Sequence, residues 1–175
     1  MRILTRTAVS MALAVVASVA LAIPASAATL IKYQGETSAP SPNRVVAYVL
    51  KKDNGRRILR QIGVRSTLTC QDASAQEFGV IMGIGPLDEG GSFAREITDL
   101  DLGVYLRVDG AIGFRNGSGT ALFNKAVLTQ DGTDAQLCTT GELTWTVERV
   151  NAWPVRSSSL DIPGGPGYLK VRTPL

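Results

Sequence analysis

The chain has 175 residues, with 18 Lys and Arg, 15 Asp and Glu, two cysteines and no histidine. Without imidazole there is no Ser-His-Asp triad, no Cys-His pair and no histidine-based metal centre. If the two cysteines are joined, no thiol nucleophile remains, so the composition points to a non-enzymatic protein that needs no cofactor.

The first segment to set aside is Met1 to Ala27. Arg2 and Arg6 form a positive n-region, Val9 to Ile23 is an Ala/Val/Leu run interrupted only by Ser10 and Ser18, and Ala25-Ser-Ala27 is a small-x-small cleavage site. A membrane anchor is the weaker reading, because the apolar run is short for a bilayer and ends at Pro24. The expected mature chain, Ala28 to Leu175, is secreted, carries no transmembrane segment, and its 148 residues suit one domain with a core. Without Arg2 and Arg6 it has sixteen basic and fifteen acidic residues. That near balance argues against nucleic acid as a partner.

Thr29 to Gly35 reads as a first strand, and the Pro- and Ser-containing stretch from Glu36 to Asn43 as a loop. Arg44 to Leu50 is a β-branched and aromatic strand, Asp53-Asn-Gly55 a tight turn, and Arg56 to Cys70 the returning arm, bent or bulged at Gly63. Gln71 to Gln76 is turn-like, with one short helical turn as an alternative. Phe78 to Ile84 is a core strand broken by two glycines, Gly85 to Ser92 a loop, and Phe93 to Ile97 a brief strand. In Gly103 to Val108, Val104, Leu106 and Val108 alternate with Tyr105 and Arg107. Asp109-Gly110 and Asn116-Gly-Ser-Gly119 read as turns; the latter also holds a glycosylation triplet, which the turn reading absorbs. Thr120 to Thr129 is a long strand ended by Asp131-Gly132, Thr140-Gly141 a bend, and Leu143 to Val150 the most regular strand in the chain.

The two arms beside the cysteines show the same alternation. Ile62, Val64, Leu68 and Cys70 share one face, as do Leu143, Trp145 and Val147, and Trp145 is expected in the core near the disulfide. Two cysteines in a chain bound for an oxidising compartment predict a Cys70–Cys138 bridge, contributing roughly 3–4 kcal/mol in the chain-entropy view. Eight to ten short strands with frequent turns and no amphipathic helix predict an all-β fold. It is an antiparallel β-sandwich, or alternatively a partly closed β-barrel, stapled by one disulfide. The expected divisions are a signal peptide over 1–27, a β-domain over 28–150, and a Pro/Gly/Ser-rich extension over 151–175 that packs on the domain or trails from it.

The order Tyr33-x-Gly35-x-Thr37, apolar strand, Asn-Gly hairpin, Cys70, a Gly/Phe-containing middle, Cys138-x-Thr-Gly141 and Leu143-x-Trp145-x-Val147 spans about residues 31 to 149. It resembles a loose, functionally unnamed group of secreted β-domains from high-GC Gram-positive bacteria. The resemblance implies an all-β fold, a paired disulfide and a closing tryptophan strand, and it brings no catalytic residues.

Charge is unevenly spread. Arg44 to Arg65 holds seven basic residues against Asp53 alone, and Asp72 to Asp101 holds seven acidic residues against Arg95 alone. Lys51, Lys52, Arg56, Arg57, Arg60 and Arg65 lie on and after the Asn54-Gly55 hairpin and form the candidate binding face, for anionic cell-envelope polymer or an exported protein. A solvated edge hairpin is the bland reading of the same residues. Trp153 is a further candidate contact or an anchor for the C-terminal segment. Asp88, Glu89, Glu96, Asp99 and Asp101 are the carboxylates that glycan hydrolysis or a calcium site would require, and they also read as ordinary turn residues. The resulting expectation is a secreted, non-enzymatic domain that binds through its basic hairpin. The alternatives are a protein-protein or proteinase-inhibitor-like module and a carboxylate-dependent glycan hydrolase.

Overall fold

The computed structural model describes residues 27–128, 135–156 and 169–171. The predicted secretory segment before Ala27, the Asp131-Gly132 turn and the Pro163–Gly167 run lie outside them. The described residues form ten strands and no helix: β1 (Ala27–Thr37), β2 (Arg44–Lys51), β3 (Arg57–Cys70), β4 (Ala75–Met82), β5 (Gly85–Pro86), β6 (Ser92–Asp99), β7 (Val104–Ile112), β8 (Asn116–Leu128), β9 (Ala135–Arg156) and β10 (Leu169–Val171).

The strand order is β10-β4-β3-β2-β1-β9-β8-β7-β6, antiparallel throughout except for the β10–β4 pair. The sheet folds over on itself, and Phe78 of β4 meets Phe123 of β8 with ring centroids 5.7 Å apart. At the far corner Thr69 and Cys70 pair with Thr139 and Cys138, so β1, β2, β3 and β9 form a ring. The Cys70–Cys138 disulfide is present between these directly paired residues.

Alternation supplies the core. Ile62, Val64, Leu68 and Cys70 are buried together on β3, and Leu143, Trp145 and Val147 on β9, while Thr144, Thr146 and Glu148 face out. In one rung across five strands, Thr37, Trp145, Gly119, Gly110 and Phe93 stand side by side. The Trp145 indole stacks on Phe93 at 6.0 Å, and its Nε1 donates to the Thr120 carbonyl at 3.1 Å. Cys138 pairs with Lys125, six residues along β8 from Gly119, so about 20 Å separates the tryptophan rung from the disulfide rung. Trp145 is in the core, but away from the bridge.

Two turn assignments change. Asp109-Gly110 lies inside β7 and Asn116 to Gly119 inside β8; the reversal between them is at Gly113 to Arg115. Gly110 and Gly119 lie in strands because the Trp145 ring needs the space over them. The bulge expected at Gly63 falls at Arg60, where Tyr48 pairs with Gln61 and Val49 with Leu59. Past Val150, β9 continues to Arg156 along β1, which places Trp153 opposite Leu30 in a strand.

Candidate functional site

Two hairpin tips meet at one end of the fold. The β2–β3 turn, closed by Gly55 with φ of 79°, carries Lys51, Lys52 and Arg56, all exposed. The next residue, half-buried Arg57, sends Nη1 to the carbonyl of Ile112 at 2.8 Å. Ile112 ends β7, so this bond fastens the first hairpin to the β7–β8 turn. That turn is held from the other side by Tyr33, whose hydroxyl donates to Gly113 O at 2.9 Å, and by Arg149 N donating to Arg115 O at 2.7 Å. The Arg149 guanidinium lies 4.7 Å from the centroid of Phe114, whose side chain is 63% exposed.

Six cations from three segments therefore share this end: Lys51, Lys52, Arg56 and Arg57 of the β2–β3 hairpin, Arg115 of the β7–β8 turn and Arg149 of β9. Asp53, Asp88 and Glu89 lie on the same side, on the first turn and on the loop before β6. Asp88 is engaged locally and accepts from Ser92 N at 2.6 Å. Burial pushes the Tyr33 hydroxyl above its ordinary pKa, with the positive fields of Arg149 and Arg57 opposing it. Tyr33 thus faces the cationic end as a neutral donor whose proton is committed to the turn.

The remaining sequence candidates separate. Arg60 is exposed at the bulge, short of the tip. Arg65 is eight residues along β3 from Arg57, about 26 Å away, and is ion-paired with Glu77. Trp153 is 37% exposed on β9, opposite Leu30. The disulfide joins directly paired residues of β3 and β9, with Cys70 at the start of the exposed β3–β4 turn.

The acidic candidates are divided by the length of β6. Asp88 and Glu89 precede the strand, Asp99 ends it and Asp101 follows it, so the two pairs stand about 26 Å apart. Asp99 accepts from Leu102 N at 3.0 Å as a turn cap, and Glu96 pairs across the sheet with Arg107. Among the described residues no group of three or more Asp, Glu, Cys or His side chains is placed to hold a metal ion.

The outer face of β1, β9 and β8 carries a feature that sequence reading missed. Gln34, Glu148 and Asn116 form one rung, and Glu36, Thr146 and Ser118 the next. They line an open groove of about 770 Å³ over the backbone of Gly35, Val147 and Gly117. Each pair lies alone in its own stretch of sequence, and only strand pairing assembles the six. Arg115 and Arg149 were missed for the same reason.

Comparison with protein-family models, curated proteins and solved structures finds no match to this chain. Among the described residues no helix is long and apolar enough to cross a membrane.

Proposed function

We propose that the protein is a secreted, non-enzymatic binding domain that holds an anionic extracellular or cell-envelope partner on its cationic end. The observation that carries this reading is the Arg57–Ile112 bond of 2.8 Å. By fixing the two hairpin tips together it turns a run of basic residues into a surface built from distant parts of the chain. Solvation of an edge hairpin alone would require no such tie. Lys51, Lys52 and Arg56 supply exposed positive charges at the tip, Arg115 and Arg149 extend the positive field, and Phe114 gives the surface an exposed aromatic edge.

The test is retention of the purified protein on isolated cell envelopes at low and high salt, beside a Lys51→Ala/Lys52→Ala/Arg56→Ala variant. Arg57 is left intact because it holds the hairpins together. Retention that falls with salt and in the variant supports the proposal, since exposed charges are screened beyond about 8 Å at physiological ionic strength. Retention by the variant equal to that of the parent protein, or insensitive to salt, overturns it.

A further inference from the structure

β6 is one edge of the sheet: it pairs with β7 and, among the described residues, with no strand on its other side. We infer that two copies of the protein pair through this edge, antiparallel and centred on Ile97, so that Arg95 of each meets Asp99 of the other.

Parity along β6 shows which main-chain groups are free. Gly91 O accepts from Ile112 N on the β7 side, whereas Ser92 O turns away and accepts from Asp88 N. Phe93, Arg95, Ile97 and Asp99 therefore direct their main-chain groups to β7, and those of Ala94, Glu96 and Thr98 point along the open edge. Ala94, Glu96 and Thr98 are also exposed, which leaves that edge accessible to an added strand.

The inner face of the strand selects the partner. Phe93, Arg95, Ile97 and Asp99 alternate inward, beside Gly110, Val108, Leu106 and Val104 of β7. Arg95 is half-buried, its Nε is enclosed without a hydrogen-bond partner, and it belongs to none of the ion pairs among the described residues. A charge pointing inward from an edge strand opposes pairing, because a neighbour would bury it further. A neighbour that brings a carboxylate to the same rung removes that penalty.

A second β6 is such a neighbour. Paired residues of an antiparallel sheet point to the same face, so inward residues of one copy must stand opposite inward residues of the other. Centring the two-fold axis on Arg95 would oppose two arginines, and centring it on Glu96 would oppose two glutamates. Centred on Ile97, the register sets Arg95 against the partner's Asp99, twice by symmetry, with the two Ile97 side chains between them. Among two-fold registers it alone gives Arg95 an acid lying within β6. Asp99 accepts from Leu102 N through Oδ1, which leaves Oδ2 for the guanidinium. On the outer face Glu96 falls opposite the partner's Thr98 and keeps Arg107 of its own β7 beside it. The same register brings Leu100, 87% exposed in the β6–β7 turn, alongside the partner's Ala94.

The test is sedimentation velocity of the purified protein from about 5 to 500 µM, beside Arg95→Asp, Asp99→Arg and an equimolar mixture of the two variants. Either reversal alone sets like charges against each other in both rungs, whereas the mixture restores two opposite pairs. The expected result is a parent dimer, association at least about tenfold weaker in each variant alone, and recovery in the mixture to within about threefold of the parent. Because Asp99 also caps the turn, the variants are first shown to be folded by circular dichroism, and cross-linking gives a second reading. With Cys70 joined to Cys138, an Ile97→Cys variant carries one free thiol, placed on the two-fold axis. Mild oxidation should link Ile97→Cys into a dimer faster than Thr98→Cys, whose more exposed thiol stands opposite Glu96. The inference is overturned by a parent that stays monomeric at about 500 µM, or by single variants that associate as tightly as the parent. A mixture of folded variants no stronger than its components, or Thr98→Cys linking at least as fast as Ile97→Cys, overturns it equally.

Discussion

The Trp145 ring lies so close over Gly119 that a Cβ built on the glycine would stand 2.6 Å from the indole Cζ2. The same Cβ would collide with the Asp109 carbonyl, and one on the paired Gly110, whose φ is 153°, would approach the indole to 2.5 Å. Backbone on one side and a fully buried ring on the other leave nothing able to give way. Gly119→Ala is therefore expected to destabilise the fold by about 2–4 kcal/mol, measured by denaturant unfolding, with quenching or shift of the Trp145 fluorescence in the native state. An alanine tolerated within about 0.5 kcal/mol would mean that the ring does not sit in this notch.

The same contact explains which parts of the fold could be read from the sequence. The alternation of Ile62, Val64 and Leu68, and of Leu143, Trp145 and Val147, is local, so strand type and inward face follow directly. Gly110 and Gly119 are local turn signals as well, yet their function is set by a tryptophan 26 residues beyond Gly119 in the chain, and no window around them contains it. The bulge depended on the register between β2 and β3, and Arg60 carries no mark of it. The cationic tip was legible because its residues are contiguous. Arg115, Arg149 and the groove were not, because each is assembled by pairing between distant strands.

Joining Cys70 to Cys138 closes a loop with a sequence separation of 68. In the chain-entropy view this contributes roughly 4 kcal/mol, model-dependent as that account is. A Cys70→Ser/Cys138→Ser variant is expected to lose stability on that scale. In hydrogen exchange the loss of protection should centre on Thr69–Cys70 and Cys138–Thr139, the corner that closes the ring. Protection unchanged at that corner would show that strand pairing holds it without the bridge.

Ser66 is an inward residue of β3, 1% exposed, between Val64 and Leu68, and its hydroxyl has no hydrogen-bond partner among the described residues. A buried hydroxyl without a partner forfeits its hydration. Ser66→Ala is expected to stabilise the protein by about 1 kcal/mol, seen as a higher denaturation midpoint at an unchanged m-value. A clear loss of stability would show that the hydroxyl is bonded in solution.

Asp72 ties the β3–β4 turn to β9. Its carboxylate accepts from the Ser74 hydroxyl and from Ser74 N at 2.9 Å, and its Oδ2 accepts from Gln136 Nε2 at 3.1 Å. These bonds lower its pKa, the Ser74 hydroxyl most. A depressed carboxylate stabilises the fold above its unfolded pKa, about 3.9, and loses that contribution as pH falls through the folded value. Replacing Asp72 with Asn should flatten the acid limb of a stability–pH profile, measured by denaturation midpoints below pH 5. An acid limb identical in the two proteins would exclude this carboxylate as a contributor.

Tyr33 works in the opposite pH range. Its ring is 1% exposed and its hydroxyl holds the Gly113 carbonyl, so burial favours the protonated phenol in the folded state although Arg149 and Arg57 pull the other way. With the folded pKa raised above the unfolded one, the unfolded chain binds fewer protons as pH climbs past about 10, and stability falls from there through the folded value. Below that range the contribution is complete and independent of pH. Tyr33→Phe should then do two separable things. At neutral pH it should cost about 1–2 kcal/mol, because a carbonyl in the turn loses its donor. Above pH 10 it should remove part of the alkaline decline, so the curves for the two proteins converge. Denaturation midpoints measured from pH 7 to 11 test both, and ultraviolet difference titration identifies the late-ionising phenol. Parallel curves with a constant offset would retain the hydrogen bond and exclude the buried ionisation. Because the Tyr33 bond also positions the loop bearing Phe114 and Arg115, the same variant should weaken envelope retention at pH 7 with Lys51, Lys52 and Arg56 unchanged. That loss would tie the strength of the cationic end to the buried phenol beneath it.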